Sequence, residues 1–196
     1  MNAIGPRAIR AHDSNSEDGW LSFTCGHCGN LVTGFVIASY PTNSPSVKWM
    51  QCPNCKRGLV QVQSKIYPGS AFGPKIEGLP ERVSEAYEEA RNCMSVDALV
   101  ACELICRKIL MHTAVEKGAK EGDKFENYIS YIEKQGFITP PMKGWVDLIR
   151  QHGNKATHEL ETPDRGRAES TIMFTAELLR LIYEMDHMSK KYSTKK

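Results

Sequence analysis

Two Cys-x-x-Cys pairs, Cys25/Cys28 and Cys52/Cys55, constrain this chain more than any other feature. A two-residue spacer lets a tight turn aim both thiolates at one point, and Gly26, Gly29, Pro53 and Asn54 supply turn-compatible residues in or after each spacer. Four thiolates complete a tetrahedron. The spacing therefore predicts one structural Zn²⁺ per chain, held by Cys25, Cys28, Cys52 and Cys55, with no open position for a reacting water. Redox pairs of the thioredoxin type would need a CxxC that opens a helix in βαβ text, which neither pair has. His27, inside the first turn, is expected to point into solvent rather than to replace a thiolate.

The text around these pairs is strand-like. WLSFT, LVTGFVIASY, VKWMQ and LVQVQS are short β-branched and aromatic runs bounded by Gly, Pro, Asn or Cys, which predicts an antiparallel hairpin pair folded around the metal over residues 20–66. A module this small has too little core to fold without the ion. Lys48, Trp49, Lys56 and Arg57 place basic and aromatic groups near the second turn, as nucleic-acid docking or as ordinary surface residues beside a metal turn. Residues 1–19 hold Asp13, Glu17 and Asp18 and no apolar core of a signal peptide, so they are expected to be a flexible N-terminus. No apolar run reaches the roughly 18 residues that span a bilayer, so no membrane partner is expected. With seven cysteines, an odd count, and no secretion signal, a reducing compartment and a cytoplasmic location are expected.

Residues 67–80 (YPGSAFGPKIEGLP) concentrate Pro and Gly and predict a linker. Beyond it the period turns helical. Pro80 precedes a first helix at about 81–94, and Ser95 is suited to cap a second running to about Glu116, apolar on most of its circumference and so central. KFENYISYIEKQG predicts a third helix ending at Gly136, and Pro140 and Pro141 open a fourth. A last helix over Arg165–Met188 carries Ile172, Thr175, Leu179, Ile182 and Met185 on one stripe. The implied fold class is α+β: a small antiparallel zinc ribbon, then a bundle of about five helices over 81–188, then a basic solvated tail at 189–196.

The most unusual polar text is IRQHGNKATHE, residues 149–159. On a continuous helix Arg150, Asn154 and His158 fall at i, i+4 and i+8, near one face. A guanidinium that binds phosphate, an amide that orients it and an imidazole that moves a proton suit phosphodiester chemistry. The structural alternative is that Gly153 caps the fourth helix, Asn154 begins a new turn and His158 bonds a helix end. No GxGxxG, Walker, GxSxG or HExxH motif competes. His112 reads as a core or interface histidine, Cys93, Cys102 and Cys106 as small hydrophobes, and Glu103 with Arg107 as an i, i+4 pair.

LPERVSEAYEEARNCM, ALVACELICRKILMH and above all IRQHGNKATHE followed by LLRLIYEM resemble an uncharacterised bacterial and phage family within the HEPN (higher eukaryotes and prokaryotes nucleotide-binding) superfamily. Members of that family often carry an N-terminal zinc ribbon. The resemblance implies an antiparallel helical bundle that pairs as a homodimer. In active members it implies a metal-independent ribonuclease, whose Arg, the polar residue directly after it and a His four residues further on meet in the dimer cleft. Carried over, His158 is the acid or base and Asn154 the polar residue. Here Gly153, not Arg, precedes Asn154, so Arg150 would supply the guanidinium from one turn earlier. Many HEPN-like domains act instead as RNA-binding or protein-interaction modules, and neighbouring defence genes imply a role in conflict between phage and bacteria.

Two functions are therefore in view: an inert module that docks RNA or a partner protein, and a dimeric endoribonuclease using Arg150, Asn154 and His158. The formal net charge of +2 argues against a general electrostatic nucleic-acid binder and leaves room for a local patch.

Overall fold

The computed structural model describes residues 10–11, 19–40, 46–158 and 162–193, with the backbone alone described for 10–11 and 151–158. Two compact units divide the chain, Met1–Ala71 and Phe72–Lys196.

Among the described residues the first unit forms one antiparallel sheet of six strands: β1 (Arg10–Ala11), β2 (Trp20–Thr24), β3 (Leu31–Tyr40), β4 (Val47–Gln51), β5 (Gly58–Val62) and β6 (Lys65–Tyr67). The order is β1-β3-β4-β5-β6, and β2 pairs with the first half of β3. The pleat sorts the side chains. Phe23, Val36, Met50 and Leu59 point to one face, where with Cys25 and Cys52 they form the unit's whole buried cluster among the described residues. Between Val36 and Ala38 the register with β4 shifts, a bulge that leaves Ile37 exposed and returns Ala38 to the side opposite that cluster. The N-terminus differs from expectation in one place: Arg10 and Ala11 pair with Ser39 and Ala38.

The second unit is helical: α1 (Glu81–Ser95), α2 (Leu99–Glu116), α3 (Phe125–Lys134), α4 (Lys143–His158), α5 (Arg165–Leu179) and α6 (Met185–Ser193). As its apolar circumference predicts, α2 is central, packing against α1, α3, α4 and α5. Cys102, Cys106, Ile109, Leu110 and Ala114 are buried along it. Gly136, at φ +82°, closes the C-terminal end of α3, and a 3₁₀ turn at Pro140–Met142 leads into α4.

Several boundaries are corrected. Ser95 is the last residue of α1, its hydroxyl turned back to the Asn92 carbonyl, so it does not cap α2. Asp97, at φ +59°, makes the reversal, and its carboxylate is taken by Arg165. Asp and Asn reach this left-handed region at lower cost than other non-glycine residues. The last helix is interrupted by a π turn over Arg180–Glu184. Its wider turn rotates the residues beyond it, so Ile172, Thr175, Leu179 and Ile182 are buried while Met185 is exposed. Glu184 in that turn bonds Arg180 and the Glu77 amide, and the Tyr183 hydroxyl donates to Glu116. Residues 189–193, expected in a solvated tail, belong to α6, where Lys190 pairs with Asp186 and Lys191 with Glu77.

Much of the expected linker is also fixed. Tyr67 belongs to β6, and Phe72, Ile76 and Leu79 pack against the helical core. Arg91, buried on α1, donates from Nε to the Phe72 carbonyl (3.1 Å) and from Nη2 to that of Gly73 (3.0 Å), while Nη1 meets both Glu88 oxygens. The Tyr87 hydroxyl donates to the Pro74 carbonyl. Carbonyls without a helical or sheet partner are thereby satisfied on one helix.

Glu103 has a bidentate partner on another helix. Arg167 donates to it from Nε (2.8 Å) and Nη2 (2.9 Å), with side-chain exposures of 12% for Arg167 and 6% for Glu103. The Arg107 guanidinium lies 4.4 Å from the Phe125 ring centroid. Removing one partner of a buried ion pair strands the other charge, which costs about 3–5 kcal/mol. Glu103→Ala is expected to lower bundle stability by about that amount in urea unfolding, and Glu103→Ala/Arg167→Met to recover part of it.

Candidate functional site

The two CxxC turns are built alike. In the first, the Cys25 amide donates to the Asn30 carbonyl and the Gly29 amide to that of Cys25; in the second, the Cys52 amide donates to Arg57 and the Lys56 amide to Cys52. Each turn needs a left-handed residue four places after its first cysteine. Gly29 supplies it at φ +74°, whereas Lys56 adopts φ +62° at a steric cost of roughly 1–2 kcal/mol. Gly26 has a separate reason to be glycine: a Cβ there would lie 2.1 Å from the Pro68 carbonyl oxygen and 2.3 Å from that of Gly69. The segment after β6 lies directly over the first turn.

These turns bring all four predicted ligands together. The Sγ atoms of Cys25, Cys28, Cys52 and Cys55 lie within 4.8 Å of one another, with Cys25 and Cys55 at 3.7 Å and Cys28 and Cys52 at 3.9 Å. A tetrahedron of thiolates about 2.3 Å from a central ion has edges of about 3.8 Å, so the donor set fits a metal ion. Burial pushes the Cys25 thiol up to about 12. The Asn30 amide and then the Asn54 side chain bring Cys28 down to about 6, and Asn54 Nδ2 stands 3.6 Å from its sulfur. The Cys55 amide likewise lowers Cys52. A divalent ion among the four sulfurs would hold them all as thiolates.

His27 is exposed as expected, but its Nε2 stands 3.1 Å from the Gly58 carbonyl oxygen, which links the first turn to β5. Of the basic and aromatic residues near the second turn, Trp49, Lys56 and Arg57 are exposed and Lys48 is half-buried.

The second candidate site lies on α4. The helix runs unbroken through Gly153 to His158, so Gly153 does not end it and Arg150, Asn154 and His158 occupy i, i+4 and i+8 of one helix. The side chains of Asn154 and His158 lie outside the described residues. Arg150 is described: Nη2 meets Glu133 of α3 at 2.8 Å and Ser130 Oγ at 3.3 Å, and Nη1 meets Asp147 at 3.2 Å. Sequence reasoning missed this pairing because Glu133 lies on another helix; only Asp147, three residues before Arg150, carried a local signal. His112, expected in the core or at an interface, is half-exposed at a groove with Arg82, Glu89 and Lys108, and its Nε2 lies 3.9 Å from Glu116. Cys102 and Cys106 are buried on the core side of α2, and the neighbouring thiol and burial raise Cys106.

The metal assignment has direct consequences. One divalent ion should bind per chain, and Co²⁺ should show thiolate charge-transfer bands that Cys52→Ser removes. Chelation should abolish the near-ultraviolet signal of the first unit while far-ultraviolet helicity persists. Loss of both signals together, or an ion-free folded sheet, would contradict the assignment.

No helix among the described residues is long and apolar enough to cross a membrane. Neither the curated proteins nor the solved structures include a match to this chain. A family model does match, over residues 88–195, from the second half of α1 through the last helix. The chain belongs to the family described as Domain of unknown function (DUF4145).

Proposed function

We propose that the helical unit is a HEPN-like module that forms a homodimer and docks RNA or a partner protein without cleaving RNA, and that the ion in the ribbon is structural zinc. The surroundings of Arg150 support the inert reading. One guanidinium stands between two carboxylates, Glu133 and Asp147, so this group of charges is negative as a whole. A scissile phosphate approaching it would have to displace both, and opposed carboxylates cancel the stabilisation that a cation gives a developing phosphorane. Gly153 in the place of the superfamily's arginine supports the same conclusion. For zinc, the support is four sulfur donors at tetrahedral spacing, a set with no place for a reacting water. The phage and bacterial setting belongs to the proposal through the resemblance alone.

One observation favours the ribonuclease alternative. The uninterrupted α4 keeps Arg150, Asn154 and His158 at helical spacing, as a site acting on a 2′-hydroxyl and its adjacent phosphate would need. Incubation of the purified protein with total and transfer RNA in EDTA separates the two. The inert module leaves the RNA intact at high protein concentration. Cleavage to 2′,3′-cyclic phosphate ends that falls at least ~100-fold in His158→Ala would establish the alternative. A monomer in sedimentation would remove the homodimer.

A further inference from the structure

The face of the ribbon sheet opposite the metal carries its own pattern. On that face Trp20 stands across from Phe35, and Phe35 across from Gln51; in the next row Trp49 lies across from Val60, and Val60 from Tyr67. The Trp20 and Phe35 rings meet edge to face, 5.5 Å between centroids. Trp20 is 49% exposed and Trp49 36%, while Phe35 and Tyr67 are half-buried. Neighbouring strands lie about 4.8 Å apart, so these rings form a diagonal band across the sheet. Apolar side chains on the metal face complete a core; rings on this face are instead held at the surface, supported from beneath by a sheet that the metal turns fix.

Charge narrows the ligand. Between Trp20 and Ala71 the sequence has no Asp or Glu, but it has Lys48, Lys56, Arg57 and Lys65. Four thiolates on a divalent ion return two negative charges and leave the segment basic. The exposed cations flank the band. Lys56 and Arg57 sit in the turn after Gln51, whose Nε2 donates to the Lys56 carbonyl, and Lys65 is exposed on β6, two residues before Tyr67 on the same face.

We propose that this face binds single-stranded nucleic acid, with bases stacked on Trp20, Trp49 and Tyr67 and the backbone phosphates drawn to Lys56, Arg57 and Lys65. Flat rings with cations at their margin suit unpaired bases, which offer a π face whatever their identity. A duplex hides those faces, and a protein partner would have no need of a segment free of carboxylates. The inference concerns the ribbon alone and holds whether or not the bundle cleaves RNA.

Trp20 and Trp49 are two of the three tryptophans of the chain, so the test can be optical. Zinc-loaded full-length protein is titrated at low salt with fluorescein-labelled oligo(U), oligo(dT) and a duplex, with anisotropy and tryptophan quenching as readouts. The expected result is quenching by a single strand, weaker duplex binding and affinity that falls with salt. The oligo(U) and oligo(dT) arms tell RNA from DNA as the strand. Trp49→Ala should weaken binding at least ~5-fold and Trp49→Phe much less, both at unchanged metal content. Lys56→Gln/Arg57→Gln, on exposed side chains, should flatten the logarithmic salt slope by about 0.7 for each phosphate no longer neutralised. Absence of single-strand binding would overturn the proposal and leave a protein as the occupant of the face. Equal affinity for duplex, or full affinity in a metal-loaded Trp49→Ala protein, would overturn it too.

Discussion

Convergence of four cysteine sulfurs is the constraint on which the N-terminal unit rests. Phe23, Val36, Met50 and Leu59 are the only fully buried apolar side chains besides Cys25 and Cys52 among its described residues. At about 1.5–3 kcal/mol each, four such side chains cannot offset the ordering of some fifty residues. A metal bound by four thiolates supplies on the order of 10 kcal/mol in comparable small modules, and it does so only in the folded geometry. The backbone shows the same dependence. Lys56 is held in the left-handed region, and Gly26 is pressed beneath the carbonyls of Pro68 and Gly69. Both features serve the turns that aim the sulfurs.

The helical unit is stabilised by a different principle. Its core is extensive and apolar, so its specificity comes from the few charges taken inside it. Arg91 orders the chain entering α1 by holding the Phe72 and Gly73 carbonyls, and Glu103 fixes α2 against α5 through Arg167. Such pairs add little to net stability compared with apolar replacements, because burial costs each ion its hydration. What they do is penalise every packing in which their partner is missing. For α2, apolar on most of its circumference, that penalty supplies the rotational register that hydrophobicity alone leaves loose.

What could be read in the sequence was local. The CxxC spacing identified the ligand set, short β-branched and aromatic runs bounded by turn residues identified four of the strands, and Pro80, Gly136 and Pro140 marked helix boundaries because a proline or a left-handed glycine acts where it stands. What could not be read depended on distant partners. Ser95 has the chemistry of a cap, yet the chain turns at Asp97, whose carboxylate is met by Arg165 from far along the sequence. The stripe through Met185 assumed an uninterrupted period, and the π turn breaks it, with Tyr183 and Glu184 bonded to Glu116 and Glu77. Residues 72–79 look like a linker by composition and pack against the helical core. The aromatic face of the ribbon was hidden for a related reason: Trp20, Phe35, Trp49 and Tyr67 lie on four different strands, and only the cross-strand register puts them on one side.

The two halves of the chain differ in charge in a way that the total of +2 conceals. Residues 80–196 carry 18 Lys and Arg against 19 Asp and Glu, and their cations are paired wherever the functional question is sharpest, as Arg150 is with Glu133 and Asp147. A polyanion meets little net field there. From Trp20 to Ala71 the sequence has three lysines, one arginine and no Asp or Glu, and even a dianionic metal–thiolate centre leaves the segment positive. Screening limits such fields to about 10 Å at ordinary salt, so position matters more than the sum. Electrostatics thus favours polyanion contact at the ribbon and leaves the helical unit to interactions set by shape and apolar area, a division that comes from where the carboxylates are, not from how many there are.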